Sequence, residues 1–238
     1  MFEFINKYTT QLNDGVLIAS AIIAVIYFKK YKNYNSKIFI YYMIYVALVD
    51  FFGSYPMYLI KIEALSNIKL FVDGTHFRRN YWWFTIFWNI GSAVFLSYYF
   101  QKTYKSEIFT KVVRYVCLLF VISSFVYIIY DLNAFFNSQL KFINIFGALV
   151  ILICISLYFI ELLNSERILV FYKSLNSVAG ATLFLWWLII TPLLFYEVYF
   201  SLEDKSYLVL RGQVYLFSNL FMYTTFSIAL IFCNPQYD

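Results

Sequence analysis

Two stretches of sequence decide the fold of this chain: residues 112–130, VVRYVCLLFVISSFVYIIY, and residues 142–163, FINIFGALVILICISLYFIELL. Each provides roughly 20 mostly apolar residues in a row, the length that an α-helix needs to cross the hydrocarbon core of a bilayer. Extending the same criterion outward gives seven spans, at 12–28, 38–60, 80–101, 109–130, 140–162, 175–200 and 208–233. We therefore predict an all-α polytopic membrane protein, a single seven-helix domain over 1–238.

The composition favours the same class. Of 238 residues, 63% are hydrophobic and only 13% are charged, against roughly 25% charged in a typical soluble domain. No basic block is long enough to follow a phosphate backbone, so the sequence predicts the lipid bilayer as a partner and not nucleic acid. Cys117, Cys154 and Cys233 all lie in apolar runs, where we expect them to act as small buried hydrophobes.

The first span and the longest connection each need separate interpretation. Residues 16–28, VLIASAIIAVIYF, resemble the apolar core of a signal peptide, with ASA as a cleavage site. The apolar run instead continues to Lys29 and Lys30, as in a stop-transfer sequence, which favours a retained helix. Residues 61–79 form the longest connection and are long enough to carry a short interfacial helix.

The distribution of lysine and arginine predicts the orientation. The loop at 29–37, KKYKNYNSK, is purely basic and comes early in the chain. Because basic loops stay on the cytoplasmic side, we predict an outside N-terminus and an inside C-terminus. The predicted location is the bacterial cytoplasmic (inner) membrane.

Polar residues inside the spans are the candidate functional residues, because an ionisable group at membrane depth is costly. Asp50 lies in the middle of the second span, and Gly53 and Pro56 after it are expected to loosen the helix. Spans two, three and seven each carry polar residues at a similar depth, and together these predict a ligand or ion site. The alternative is a structural role, in which the same side chains form hydrogen bonds that hold the helices together. The candidate residues are Asp50, Asn89, Ser92, Arg211, Ser218 and Asn219.

The remaining acids lie at predicted helix ends. Asp14, Asp131 and Glu197 fall at outer ends and Glu161 falls at an inner end. Interfacial carboxylates are usually solvated, and we expect these to be so. Glu197 and Arg211 flank the same short loop and are positioned to pair.

The sequence offers no catalytic or cofactor motif. Its single histidine, His76, cannot supply paired haem ligands or an HExxH zinc site. It has no GxSxG motif, no Walker loop, and no lysine in the seventh span for a retinal Schiff base. We therefore predict a non-enzyme without a metal or cofactor. With only 7 glycines, 3 prolines and no internal repeat, the chain also differs from alternating-access transporters.

Residues 156–168, SLYFIELLNSERI, and 181–196, ATLFLWWLIITPLLFY, carry a resemblance. They resemble small stand-alone seven-helix membrane proteins of AT-rich, Bacteroidetes-like bacteria. More loosely, they resemble the seven-helix sensor regions of bacterial histidine kinases. The resemblance implies a bacterial membrane protein and transfers no catalytic or binding residue. Unlike the kinase-linked regions, this chain is expected to lack an attached output domain.

Three function classes follow. The first is a sensory or signalling membrane subunit that acts through a protein partner or as a homo-oligomer. The second is a channel or transporter, including a pore-forming oligomeric effector of a host-defence system. The third, an intramembrane enzyme, has no motif to support it. The basic loops at 29–37 and 101–111 are the predicted docking surface, with topology control and contact to anionic lipid as the alternative role.

Overall fold

The computed structural model describes residues 2–196 and 205–238 of the chain. Within these ranges the protein is helical and contains no β-strand. The α-helices are α1 (Phe2–Tyr31), α2 (Lys37–Gly53), α3 (Tyr55–Lys61), α4 (Ser66–Asp73), α5 (Tyr81–Trp83), α6 (Gly91–Thr103), α7 (Glu107–Tyr130), α8 (Leu132–Asn137), α9 (Lys141–Leu163), α10 (Leu175–Tyr196) and α11 (Lys205–Phe232). A π-helical segment, Phe84–Ile90, joins α5 to α6.

The described helices confirm the all-helical class and give a multi-pass membrane protein. Five of them, α1, α7, α9, α10 and α11, contain stretches long and apolar enough to cross a bilayer. The bent pair α2–α3 makes a sixth if it is counted as one span. The predicted span at 80–101 is not an uninterrupted α-helix, because the π-helical segment divides it. Residues 197–200 of the predicted sixth span lie outside the described residues.

The second predicted span is broken at Ser54, between α2 and α3, one turn after Asp50, as the Gly53 and Pro56 in its sequence predicted. The axes of α2 and α3 meet at 42°. Pro56 lies in the first turn of α3, a position that tolerates proline because the N–H groups of a first turn have no partner within the helix. Without an N–H, Pro56 cannot bond back to the last turn of α2, so the two helices do not continue as one. The N–H of Ser54 still bonds the carbonyl oxygen of Asp50 at 3.0 Å, so the helical hydrogen bonds of α2 continue as far as Ser54 and the bend follows Ser54.

The break in α2 is held against the start of the third predicted span. The Trp83 indole donates to the carbonyl oxygen of Val49 at 2.9 Å, and the Asn80 amide donates to that of Gly53 at 2.8 Å. A Cβ at Gly53 would lie only 2.7 Å from the ring of Phe84. Glycine at this position therefore allows the two segments to approach closely.

The π-helical segment is held by contacts from both sides. The hydroxyl of Tyr45 donates to the carbonyl oxygen of Phe87 at 2.5 Å, and a Cβ at Gly91 would collide with that hydroxyl. On the other side, a Cβ at Gly147 in α9 would lie 3.5 Å from the carbonyl oxygen of Asn89. Short π-helical insertions occur frequently at functional sites, and this one lies where α2 and α9 approach it most closely.

We call the end of the bundle where α1, α9 and α11 begin the open end, and the opposite end the closed end. The closed half contains a layer of fully buried aromatic side chains. Phe39 and Phe226 meet with ring centroids 4.9 Å apart, and Phe100 and Tyr158 with centroids 5.7 Å apart. The hydroxyl of Tyr99, also in this layer, donates to Asn176 Oδ1 at 2.6 Å. The layer is therefore tightly packed and its buried polar groups are paired.

The first and last helices pack side by side. At the closed end, Lys30 Nζ donates to the carbonyl oxygen of Ile231 at 2.8 Å, and the Tyr31 hydroxyl to that of Leu230 at 3.1 Å. These bonds satisfy carbonyl groups at the C-terminus of α11, which have no partner within the helix. A lysine at this position also complements the negative end of the helix dipole.

Two further predictions concern the longest connection and the three cysteines. The 61–79 connection contains a short helix, α4, whose Leu70 and Phe71 side chains are exposed. Cys154 and Cys233 are buried as predicted, whereas Cys117 is intermediate.

The expectation that Glu161 is solvated was wrong. Its side chain is only 12% exposed and binds Arg167 at 2.9 Å. It also accepts hydrogen bonds from the backbone N–H groups of Lys105 and Ser106, at 2.9 Å each. Glu161 is largely shielded from solvent because its carboxylate bonds the segment that begins α7 and thereby joins that segment to the C-terminal end of α9.

Candidate functional site: a polar cavity at the open end

A cavity of about 560 Å³ lies in the open half of the bundle. Its walls come from α1, α2, the π-helical segment, α9, α10 and α11. This volume is within the range of small-molecule sites, which are roughly 300–1,000 Å³. The charged lining residues are Asp14, Asp50 and Arg211, the amides are Asn13, Asn80, Asn89, Gln139, Asn144 and Asn219, and the indoles are Trp88, Trp186 and Trp187.

The structure brings together four of the six residues predicted from the sequence. Asp50, Asn89, Arg211 and Asn219 all line the cavity. Asn89 belongs to the π-helical segment, so the irregular helix contributes directly to the wall.

The other two predicted residues lie elsewhere. Ser92 lines a void of about 20 Å³ that shares Trp88, Asn89 and Asn144 with the main cavity and forms its floor. Ser218 is buried, and it is not among the described residues that line either space. It lies next to Asn219 in sequence, and neighbouring residues on a helix point in different directions.

Sequence reasoning missed the contribution of α1. We expected Asp14 to be solvated at an outer helix end. The structure gives it an intermediate exposure and places it in the cavity wall, because α1 extends back to Phe2 and Asp14 lies within the helix. Thr10, Asn13 and Leu17 line the cavity with it. This spacing of three and four residues marks one helical face, a signal that was available in the sequence.

A hydrogen-bond chain crosses the cavity wall between three helices. The Trp186 indole of α10 donates to Asn219 Oδ1 of α11 at 2.8 Å. Asn219 Nδ2 in turn donates to Asn13 Oδ1 of α1 at 3.4 Å. We call these three residues the Trp186–Asn219–Asn13 relay. A group entering the cavity next to it contacts all three helices through one bonded chain.

The floor of the cavity contains unpaired polar atoms. Ser92 Oγ and Asn144 Oδ1 are buried and make no hydrogen bond of ordinary geometry. Ser92 is only 4% exposed, and its side chain interacts with Tyr42 across the void. Leaving such groups unpaired is costly, so most buried polar atoms in proteins are bonded. These two atoms are therefore available to a polar group that reaches the floor.

Arg211 enters the cavity from α11. Its guanidinium carbon lies 5.8 Å from the ring centroid of Tyr215, one turn further along the helix. This distance is within the range of a cation–π contact. The predicted pairing of Arg211 with Glu197 lies outside the described residues.

The lining chemistry suits binding. Amide groups donate and accept hydrogen bonds, indoles provide aromatic faces, and the carboxylates and guanidinium recognise charge. The described lining includes no histidine, cysteine or lysine, and no group of three or more potential metal ligands occurs among the described residues.

No protein-family model, no curated protein and no solved structure matches this chain. The function is therefore inferred from the cavity and from the helices that enclose it.

Proposed function

We propose that the protein is a non-enzymatic, multi-pass membrane sensory subunit. It binds a small polar ligand in the open-end cavity and signals through a protein partner or through self-association. The observation that carries this proposal is the position of the polar cavity, in the open half of the bundle beside a packed layer of aromatic side chains.

No residue of the buried aromatic layer is among the described residues that line the cavity. The deepest part of the cavity adjoins the small void at Ser92, and the closed half of the bundle is filled by the layer that contains Phe39, Tyr99 and Phe100, each 0% exposed. A conduit needs a polar path through the whole bundle, because an ion or polar solute loses its hydration in an apolar layer. A polar cavity beside a packed apolar layer supports binding over passage.

The Trp186–Asn219–Asn13 relay couples ligand binding to the contacts between α1, α10 and α11. A polar group that bonds Asn219 or Trp186 competes with the bonds between α1, α10 and α11. The same α1–α11 pair is joined at the closed end by Lys30 and Ile231. A ligand shifts a conformational equilibrium when it binds the two states unequally, and the relay supplies such a difference.

The closed end supports a partner surface. The basic loops at 29–37 and 101–111 are joined by a bond from Asn35 Nδ2 to the carbonyl oxygen of Lys102, at 3.0 Å. Lys29, Lys32 and Lys105 are exposed beside this contact. The two loops therefore act as one basic surface, suited to an acidic partner face and to anionic lipid.

We also propose seven crossings, with the N-terminus outside the bacterial inner membrane and the C-terminus inside. The chain is helical without a break from Tyr81 to Thr103, which supports counting this run as a span despite its π-helical segment. The closed end carries the basic loops and is assigned to the inside. A membrane-impermeant maleimide on intact cells tests this assignment: Asn67→Cys in α4 is expected to label, and Lys32→Cys to label only after lysis. Labelling of Lys32→Cys in intact cells contradicts it.

Ligand binding is tested on the whole chain in nanodiscs. Small polar solutes are titrated while tryptophan fluorescence is recorded, because three indoles line the cavity. A saturable change is expected, which Trp186→Phe removes by breaking the relay. The matched control is Trp82→Phe, whose indole bonds Tyr55 away from the cavity, and this variant is expected to keep the response. Absence of saturable binding by any solute contradicts the proposal.

Signalling is tested by cross-linking the closed-end lysines before and after the bound solute is added. A ligand-dependent change in the yield of cross-linked copies, or of a co-expressed partner, is expected. An unchanged yield in the presence of saturating solute contradicts the signalling part of the proposal and leaves the binding part standing.

A channel or transporter is the second candidate, and one observation favours it. The bend between α2 and α3 lies one turn after Asp50, and Phe84 of the π-helical segment packs against it at Gly53. Interrupted helices beside a charged group are common at the ion sites of transporters. Proteoliposomes distinguish the two functions: uptake of a bound solute, abolished by Asp50→Asn, favours transport, whereas binding without uptake favours sensing.

A further inference from the structure

The cavity contains two carboxylates without partners. Among the described residues, neither Asp14 nor Asp50 forms a hydrogen bond or an ion pair. The two groups face the same space and repel one another. Removing a carboxylate from water without a compensating partner is unfavourable, so this arrangement has a place for a positive group.

The charge of the wall has the matching sign. The described lining carries two carboxylates and one guanidinium. When all three groups are ionised, the described wall therefore has an excess of one negative charge, and the Arg211 guanidinium lies over the ring of Tyr215. A cavity walled by low-dielectric groups strengthens such an imbalance and concentrates ions of the opposite sign.

The aromatic residues indicate which kind of cation fits. Trp88, Trp186 and Trp187 line the cavity, and the rings of Trp186 and Trp187 meet at 89° with centroids 4.8 Å apart. Indole faces attract organic ammonium groups, whereas a metal ion requires several oxygen ligands in a compact shell. With about 560 Å³ of space, the site is larger than a bare ion needs.

A second, independent observation comes from the floor. Ser92 is 4% exposed, and its Oγ makes no hydrogen bond of ordinary geometry, although it interacts with the Tyr42 hydroxyl across the same void. Asn144 Oδ1 beside the same void is also unpaired. Together they offer one donor and one or two acceptors to a polar group on the ligand.

We propose that the ligand is a small organic ammonium compound with a hydroxyl or other hydrogen-bonding tail. Its cationic head lies between Asp14 and Asp50 against the indoles, and its tail reaches Ser92 and Asn144. This inference rests on the proposed ligand-binding function and names the class of ligand.

The test is a fluorescence titration of the full chain in nanodiscs with choline, ethanolamine and tetramethylammonium. Glucose, acetate and sodium chloride are titrated at equal concentration as neutral, anionic and inorganic controls. The ammonium compounds are expected to give a saturable change that the controls do not. The Asp50→Asn variant is expected to weaken this binding by about tenfold or more, since it removes one partner of a desolvated charge pair. Asp73→Asn, which alters an exposed acid paired with Arg78 outside the cavity, is expected to bind as the wild type does.

A second variant keeps the test decisive if Asp50→Asn folds poorly. Arg211→Gln removes the positive charge of the wall and is expected to tighten ammonium binding several-fold, an effect that a purely structural role does not produce. Weaker binding in that variant overturns the proposal.

The remaining outcomes separate the two proposals. Saturable binding of glucose or acetate in place of the ammonium compounds overturns the ligand class and leaves the sensory cavity standing. The same result follows if sodium chloride reproduces the whole response. Failure of every probe to bind contradicts both the ligand class and the proposed function.

Discussion

The hydroxyl of Tyr45 on α2 donates a hydrogen bond to the carbonyl oxygen of Phe87, in the middle of the π-helical segment. This segment carries Phe84, Thr85, Trp88 and Asn89 into the cavity wall. A single side chain on a neighbouring helix therefore supports the irregular stretch from which four lining residues project.

The Tyr45→Phe variant is expected to lower the free energy of unfolding by about 1 kcal/mol, because it leaves the Phe87 carbonyl without this donor. SDS-induced unfolding in mixed micelles measures the change. The matched control is Tyr41→Phe, one turn earlier on the same helix with a side chain 46% exposed, and it is expected to behave as the wild type. Equal stability of both variants contradicts a supporting role for Tyr45.

Gly53→Ala is expected to destabilise the protein by about 1–3 kcal/mol, as overpacked sites do. The added Cβ would lie 2.7 Å from Phe84 and 2.9 Å from Trp83, so the π-helical segment has to move away from α2. Gly15→Ala is the control, since a Cβ there meets nothing within 4 Å. Alanine at that position is expected to be neutral or stabilising, because it favours the helix. Thermal unfolding of the two variants in nanodiscs compares them directly.

Glu161→Gln is expected to cost roughly 2–4 kcal/mol, because it leaves the partly buried Arg167 without its counter-ion and weakens two backbone hydrogen bonds. The comparison is Glu107→Gln, whose carboxylate is 89% exposed and lies 3.9 Å from Lys111. Surface pairs of this kind contribute about 0.5 kcal/mol or less. If the two variants unfold at the same SDS concentration, the buried pair does not stabilise the closed end.

Asp238 gives a pH dependence with a defined sign. Burial raises the pKa of its side-chain carboxyl above the ordinary value of 3.8, while Oδ1 accepts from Ser174 Oγ at 2.9 Å and from the N–H of Asn176 at 3.2 Å. The folded protein therefore holds this proton more tightly than the unfolded chain does. Stability from this group is present at acid pH and is lost as the pH rises from 3.8 through the higher folded-state pKa.

The Asp238→Asn variant keeps the accepting Oδ1 and removes the charge. It is expected to be at least as stable as the wild type at neutral pH, with the difference disappearing on acidification. Unfolding temperatures recorded across this range measure the effect. A variant that is less stable than the wild type at neutral pH shows instead that the charged carboxylate stabilises the contact of Asp238 with Ser174 and Asn176.

Hydropathy predicted the helices well, because the bilayer demands long apolar runs whatever surrounds them. The helix at Lys141–Leu163 matches the predicted span at 140–162 within one residue at each end. The bend between α2 and α3 was also predictable from Gly53 and Pro56, because these residues affect the backbone of the helix in which they lie.

Features that depend on neighbouring helices were not predictable in this way. Nothing in the apolar sequence of Phe84–Ile90 marks a π-helical segment, whose support comes from Tyr45 on α2. Apolar residues surround most of these helices on every side, so their periodicity does not identify the face that meets the cavity. Glu161 was misjudged for a related reason: its partners at Lys105 and Arg167 become neighbours only when the loops fold together.

The side-by-side packing of α1 and α11 sets the order in which the molecule is completed. α1 leaves the ribosome first, yet two of its polar residues, Lys30 and Asn13, find their partners at Ile231 and Asn219. Until α11 has been synthesised and inserted, α1 lacks these two partners. The cavity is likewise complete only after the insertion of α11, because Arg211, Tyr215 and Asn219 of that helix form part of its wall.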